Sequence, residues 1–129
     1  MRTLGAALLA VALSGCVAGG FVLPAPGADR VSYQGRTWEV RRVAEEPRPD
    51  LSPEALDELP DGGLAVPQGA AFTGTGPAIR VHGGVTRQGA SDVLAIWCRG
   101  RGRDVAPGWR GAPVRFDDTG AEFVFYTDC

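Results

Sequence analysis

Between Val31 and Val43 apolar and polar residues alternate (VSYQGRTWEVRRV), with Tyr33, Trp38, Val40 and Val43 as apolar markers on either side of Gln34-Gly35. A period of two places every second side chain on one face of a sheet, so the stretch predicts a strand pair or one kinked strand. Short apolar runs at 64–66 and 78–82, separated by Gly- and Pro-rich turns, predict further strands. Phe123, Val124, Phe125 and Tyr126 are consecutive, the pattern of a central strand covered on both faces. Across Asp117-Asp118-Thr119-Gly120 that strand faces a second one at 113–116, which predicts a hairpin with glycine closing its turn.

Two segments carry helix signals. At 53–59 Ser52 is placed to cap, Pro53 suits the first helical position, Glu54 complements the dipole and Pro60 stops the run, with Leu56 and Leu59 facing inward. Residues 92–98 admit a helix capped by Ser91, with Val93, Ile96 and Trp97 on one side. Seven residues between glycine-rich loops favour a strand. The stretch 69–76 looks superficially like a phosphate loop but lacks the Lys-[Ser/Thr] sequel, and reads as a flexible loop. The expected fold is mainly β, a small antiparallel sheet or barrel with one short helix, with α+β as the alternative. It forms a single small domain over residues 31–129.

The N-terminus is of another kind. Met1-Arg2-Thr3 precedes an apolar run over 4–13 made only of Leu, Gly, Ala and Val. A hydrocarbon core of ~30 Å needs ~20 helical residues, so this run matches the apolar region of a secretory signal rather than a span. At its end Leu13-Ser14-Gly15-Cys16 resembles the lipobox of bacterial lipoproteins. The resemblance implies a diacylglyceryl group on the Cys16 thiol, cleavage between Gly15 and Cys16, and acylation of the new amino terminus. Residues 1–15 are then a signal peptide and 16–30 a lipidated tether, which Gly19-Gly20, Pro24 and Pro26 keep semi-extended. Several acyl chains anchor durably where one does not. In that family aspartate after the cysteine signals inner-membrane retention. Val17 stands there instead, so the resemblance places the anchor in the outer membrane with the body facing the periplasm.

Lipidation uses one of the three cysteines and leaves Cys98 and Cys129 as a pair. The periplasm is oxidising, so a disulfide is expected. If both lie on strands, Leu94, Ile96 and Cys98 share a face, as do Phe123, Phe125 and Cys129.

Composition removes several chemistries. All 13 basic side chains are arginine; without lysine there is no P-loop, Schiff base or Ser–Lys dyad. The one histidine, His82, excludes a paired-histidine or three-histidine metal site within one chain. No metal, cofactor or nucleic-acid partner is predicted for a chain of net charge −2. Asp118-Thr119-Gly120-Ala121 resembles the Asp-Thr-Gly-Ala signature of retropepsin-type aspartic proteases. Asp117 however takes an apolar position of that pattern, and Asp-Asp-Thr-Gly is an ordinary hairpin turn. As a base for Ser32, Ser52 or Ser91, His82 lacks an accompanying GxSxG elbow, so no catalytic residue is assigned.

Charge is polarised along the chain. Residues 45–61 hold Glu45, Glu46, Asp50, Glu54, Asp57, Glu58 and Asp61 against Arg48 alone, whereas 80–115 are strongly basic. The densest point is Arg99-Gly-Arg101-Gly-Arg103, with Trp97 before it and Trp109 after it. Guanidinium forks bind phosphate and carboxylate bidentately, and indoles stack on sugars or on arginine. These five residues therefore predict a patch for an anionic envelope component: lipid A phosphate, peptidoglycan carboxylate or an acidic protein. The competing expectation is that the arginine loop pairs with the acidic segment of the same fold. The sequence thus describes a membrane-anchored periplasmic lipoprotein with a binding or structural role rather than a catalytic one. The alternatives are a small periplasmic hydrolase or a protein similar to lysozyme-inhibitor lipoproteins, which share the size, β body and disulfide.

Overall fold

Gln34 and Gly35 both adopt positive φ, 49° and 74°, the backbone of a two-residue hairpin turn whose twist matches its strands. They join β1 (Ala28–Tyr33) to β2 (Arg36–Pro49), paired from Tyr33↔Arg36 to Ala28↔Arg41. The structure is a computed structural model describing residues 27–60 and 62–129. The strand pair expected around Gln34-Gly35 is present. It begins at Ala28, so residues 28–30, assigned to the tether by composition, belong to the sheet.

The remaining strands are β3 (Asp57–Glu58), β4 (Leu64–Ala65), β5 (Phe72–His82), β6 (Val114–Asp117) and β7 (Glu122–Phe125). They form one sheet in the order β1-β2-β5-β7-β6-β4-β3, antiparallel except for the β4–β6 contact. Among the described residues the fold is mainly β with one short helix, as the patterning predicts. That helix, α1 (Arg87–Gly100), lies elsewhere than expected.

Residues 92–98 are helical, which corrects the strand reading. Ala90, Val93, Leu94, Trp97 and Cys98 are the buried residues of α1, an i, i+3, i+4, i+7, i+8 stripe that fits one face of a helix. Its cap is Thr86, not Ser91; the Thr86 hydroxyl accepts from the Gly89 N–H at 3.2 Å. The expected helix at 53–59 is instead a 3-10 turn over Pro53–Ala55, with no side-chain cap from Ser52 and Leu56 already extended. Seven residues, begun by one proline and stopped by the next, do not recover the cost of helix nucleation, and the chain passes directly into β3. Leu56 still points inward and is buried. The stretch 69–76 is not all loop: β5 begins at Phe72 and pairs with the bulged end of β2.

Cross-strand register defines two faces. Val40, Val81 and Phe123 form one row and Ile79, Phe125 and Val114 another, and α1 packs over them. The opposite face carries Ala78, Val124 and Tyr126, covered by Leu56 and Val66 with Leu51, Leu64, Ala70 and Trp109. Strand β7 is thus covered on both faces, as four consecutive apolar residues predict. Cys98 of α1 and Cys129 beyond β7 form a disulfide with Cα atoms 5.6 Å apart. The pairing is the expected one. The shared-face reasoning of two strands does not apply, because Cys98 reaches the core from a helix.

Candidate functional site

Helix α1 ends in a motif that explains the spacing Arg99-Gly-Arg101-Gly-Arg103. Gly102 has φ 75°, a left-handed conformation that glycine adopts without a Cβ penalty. Its N–H donates to the Arg99 carbonyl at 2.9 Å, and the Arg103 N–H to the Cys98 carbonyl at 3.1 Å. These bonds satisfy the last carbonyls of the helix and reverse the chain. Arg101 and Arg103 thereby project from either side of one glycine.

They converge with four further residues. Arg42 of β2, Trp97 of α1, Arg101, Arg103, Asp128 and Cys129 line a cavity of about 410 Å³. The Arg101 Cζ lies 4.5 Å from the Trp97 ring centroid. The Trp97 indole N–H donates to Asp29 Oδ2 at 2.9 Å, and Arg101 Nη1 is 3.6 Å from the same oxygen. Arg42 Nε donates to Asp128 Oδ2 at 2.8 Å, and Arg42 Nη2 forms an ion pair with the same oxygen at 2.7 Å. The Arg42 hydrogen bond holds the Asp128 carboxyl below the usual carboxylate range, helped by the Cys129 N–H and opposed by partial burial. Arg103 Nη1 donates to the Cys129 carbonyl at 3.3 Å. One ring and three guanidiniums therefore surround a cleft, with further N–H donors on each guanidinium available to an anion.

The predicted patch is divided in two. Trp97, Arg101 and Arg103 come together; Arg99 and Trp109 do not join them. Two residues along a helix are about 200° apart, so Arg99 turns away from Trp97 and its Nε donates to the Ala95 carbonyl at 3.3 Å. Between Arg103 and Trp109 the chain passes the end of β7, with the Ala106 N–H on the Asp128 carbonyl (2.7 Å) and the Trp109 N–H on the Tyr126 carbonyl (2.9 Å). Trp109 thus reaches the opposite face, packed edge-on against Tyr126 with ring centroids 5.6 Å apart. Arg42 was missed by the sequence reading. It shares a cross-strand row with Ile79, Phe125 and Val114 on the α1 face, whereas Arg41 projects to the other face.

Pairing between arginines and the acidic segment does occur, with other arginines. Glu46, 2% exposed, accepts from Arg80 Nε at 2.9 Å, Arg80 Nη2 at 2.5 Å and Arg115 Nη2 at 3.2 Å. Arg80 Nη1 also donates to Asp117 at 2.9 Å. This bond holds the Asp117 carboxyl below its ordinary range against partial burial, and the Glu46 bond holds Arg80 firmly protonated. Arg115 Nε donates to the Tyr126 hydroxyl at 2.9 Å, while burial raises the Tyr126 phenol. The network ties β2, β5, β6 and β7 together under the second face.

Asp118 is exposed in the turn between β6 and β7, where the Thr119 N–H donates to Asp117 Oδ1 at 3.1 Å, so the Asp-Asp-Thr-Gly segment is a hairpin turn. His82 Nδ1 sits 3.0 Å from the Ala121 carbonyl, to which it must donate because a carbonyl only accepts. Among the described residues no hydrogen bond joins His82 to Ser32, Ser52 or Ser91. The lipobox and its Cys16 lie outside the described residues. The chain matches no protein family, no curated protein sequence and no solved structure.

Proposed function

We propose that this chain is an envelope lipoprotein, anchored through lipid on Cys16 in the outer membrane with its body facing the periplasm, that binds an anionic envelope component. The observation that carries the binding reading is the convergence of Arg42, Arg101 and Arg103 beside Trp97 in one cleft, drawn from a strand, a helix and a glycine-terminated helix end. Guanidinium forks beside an indole suit phosphate or carboxylate groups carried on sugars. The anchor reading rests on the Leu13-Ser14-Gly15-Cys16 resemblance, and the Cys98–Cys129 disulfide accords with an oxidising compartment.

Two measurements test it. Palmitate labelling of the full chain should disappear in a Cys16→Ser variant. Co-sedimentation with peptidoglycan sacculi, and separately with vesicles containing lipid A, should weaken by at least about tenfold in an Arg42/Arg101/Arg103→Gln variant and with rising salt. Equal sedimentation of both proteins with both materials sinks the cleft as the binding site.

A further inference from the structure

Trp109 carries a second pair of arginines, on the opposite face of the sheet from the cleft. Arg48 Cζ lies 5.7 Å from its ring centroid and Arg110 Cζ 4.9 Å. In the cleft every guanidinium already holds a carboxylate or carbonyl oxygen. Here, among the described residues, neither guanidinium meets a carboxylate or any other hydrogen-bond acceptor. Arg48 Nε is buried and unpaired; its two terminal nitrogens are equally unpaired but retain contact with solvent.

Packing, not ion pairing, holds Arg48 in place. It stands between Pro47 and Pro49, where a register shift in the β2–β5 ladder re-aims the strand. Its guanidinium lies on Gly76, where any Cβ would overlap it, and against the Trp109 ring. Arg110 is fixed by its backbone. The loop runs through positive φ at Gly108 (69°), Arg110 (50°), Gly111 (83°) and Ala112 (57°). Two of these are non-glycine residues, a conformation costing ~1–2 kcal/mol each. The Trp109 N–H on the Tyr126 carbonyl and the Ala112 N–H on the Trp109 carbonyl (3.0 Å) hold the turn. At Gly108 a Cβ would meet the Tyr126 carbonyl at 2.6 Å, so the loop lies directly on the end of β7.

We propose that Arg48, Trp109 and Arg110 form a binding site for a phosphate monoester. Two guanidiniums that cannot deprotonate bring two positive charges to one indole. A carboxylate brings one negative charge. A phosphate monoester brings about 1.5 to 2, with three acceptor oxygens for the terminal N–H donors of both residues. The indole shields one side of the site from water, which strengthens each charge-assisted bond. The site shares no arginine with the cleft and does not depend on lipidation of Cys16, so the two readings stand or fall separately. Phosphate of this chemistry comes from a soluble metabolite or from a lipid headgroup.

The experiment is calorimetric titration of the full chain in uncharged detergent micelles with inorganic phosphate, glycerol 3-phosphate and acetate. A saturable phosphate site is expected, weakened at least about tenfold in Arg110→Gln and in Arg48→Gln but within about twofold of wild type in Arg36→Gln, an exposed arginine of neither site. Arg110 is exposed, so its variant folds whatever becomes of Arg48→Gln. No saturable phosphate binding, unchanged binding in Arg110→Gln, or acetate bound as tightly as phosphate overturns the site. Competition then separates the sources. Phosphatidic acid mixed into the micelles displaces phosphate better than glycerol 3-phosphate does if the natural ligand is a headgroup, and equally well if it is soluble.

Discussion

Glu46 and Arg80 meet through two N–H donors of one guanidinium, although Glu46 is 2% exposed. Removing a carboxylate from water costs several kcal/mol, and the bidentate bond plus a third donor from Arg115 offsets it. Glu46→Gln keeps the volume and removes the charge. Arg80 then retains Asp117 and Glu122, while Arg115 loses its carboxylate partner and retains the Tyr126 hydroxyl. The expected loss is about 3 kcal/mol in urea unfolding, the lower end for breaking a buried pair. Glu45→Gln, at the exposed neighbouring position, should stay within about 0.5 kcal/mol of wild type. Equal effects of the two substitutions would show that the network contributes nothing specific.

The disulfide ties the end of α1 to the segment beyond β7, across a sequence separation of 31. The chain-entropy account gives about 3–4 kcal/mol for a loop of this length. Cys129→Ser should therefore unfold at a lower urea midpoint, and reductant should lower the wild-type midpoint to match. Once the bond is absent, reductant should have no further effect on the variant. An unchanged wild-type midpoint in reductant would mean that the staple does not limit unfolding.

What could be read from the chain was local. The Gln34-Gly35 turn and the Phe123–Tyr126 run each concentrate their signal within a few residues, and the cysteine pairing needs only a count and a compartment. Helix α1 escaped because its stripe begins and ends on Ala90 and Cys98, weak markers of the apolar face, while Ile96 faces outward at 36% exposure. Strand β3, two exposed residues without an apolar pattern, exists only through its pairing with β4, which falls on the predicted run at 64–66. In the site Trp97, Arg101 and Arg103 are near in sequence and near in space. Arg42 enters through the register of four strands, which no short window contains. Trp109 shows the converse, since closeness along the chain did not keep it on the same face. Glu46 was one acid among seven, and its burial depends on a bulge in β2.

Two glycines distinguish packing from propensity. Gly84 and Gly100 both have backbone angles open to other residues. A Cβ at Gly100 meets nothing within 4 Å, so Gly100→Ala at the end of α1 should stabilise by up to about 1 kcal/mol. A Cβ at Gly84 would overlap the ring of Trp38, which is 4% exposed and cannot swing clear. Gly84→Ala should therefore destabilise by about 1–3 kcal/mol despite reducing the freedom of the unfolded chain. Thermal unfolding should show shifts of opposite sign. A gain in both variants would mean that the loop before α1 does not clasp Trp38.

Acid and base act on different groups. In the folded chain Asp117 is held below its ordinary range chiefly by Arg80, and Asp128 chiefly by Arg42. A depressed carboxyl contributes stability that is fully present above the unfolded value near 3.9 and is lost as pH falls through the folded value. Tyr126 has the opposite sign. Burial raises its phenol, so its contribution is present below about 10 and is lost as pH rises through the folded value. Urea midpoints should therefore be flat between about pH 5 and 9 and fall on both sides. Asp117→Asn should be less stable than wild type at neutral pH, and the gap should close toward about pH 2, where the wild-type carboxyl is itself neutral. A gap that persists there would mean that the Asp117 carboxylate charge is not what the fold uses. Asp128 adds a consequence for the cleft, because its carboxylate occupies Arg42 as an internal anion. Asp128→Asn leaves that guanidinium to an external one, so this variant should bind the anionic partner more tightly than wild type at neutral pH while losing the Asp128 share of the acid dependence. Weaker binding by Asp128→Asn would show instead that Asp128 is needed to position Arg42.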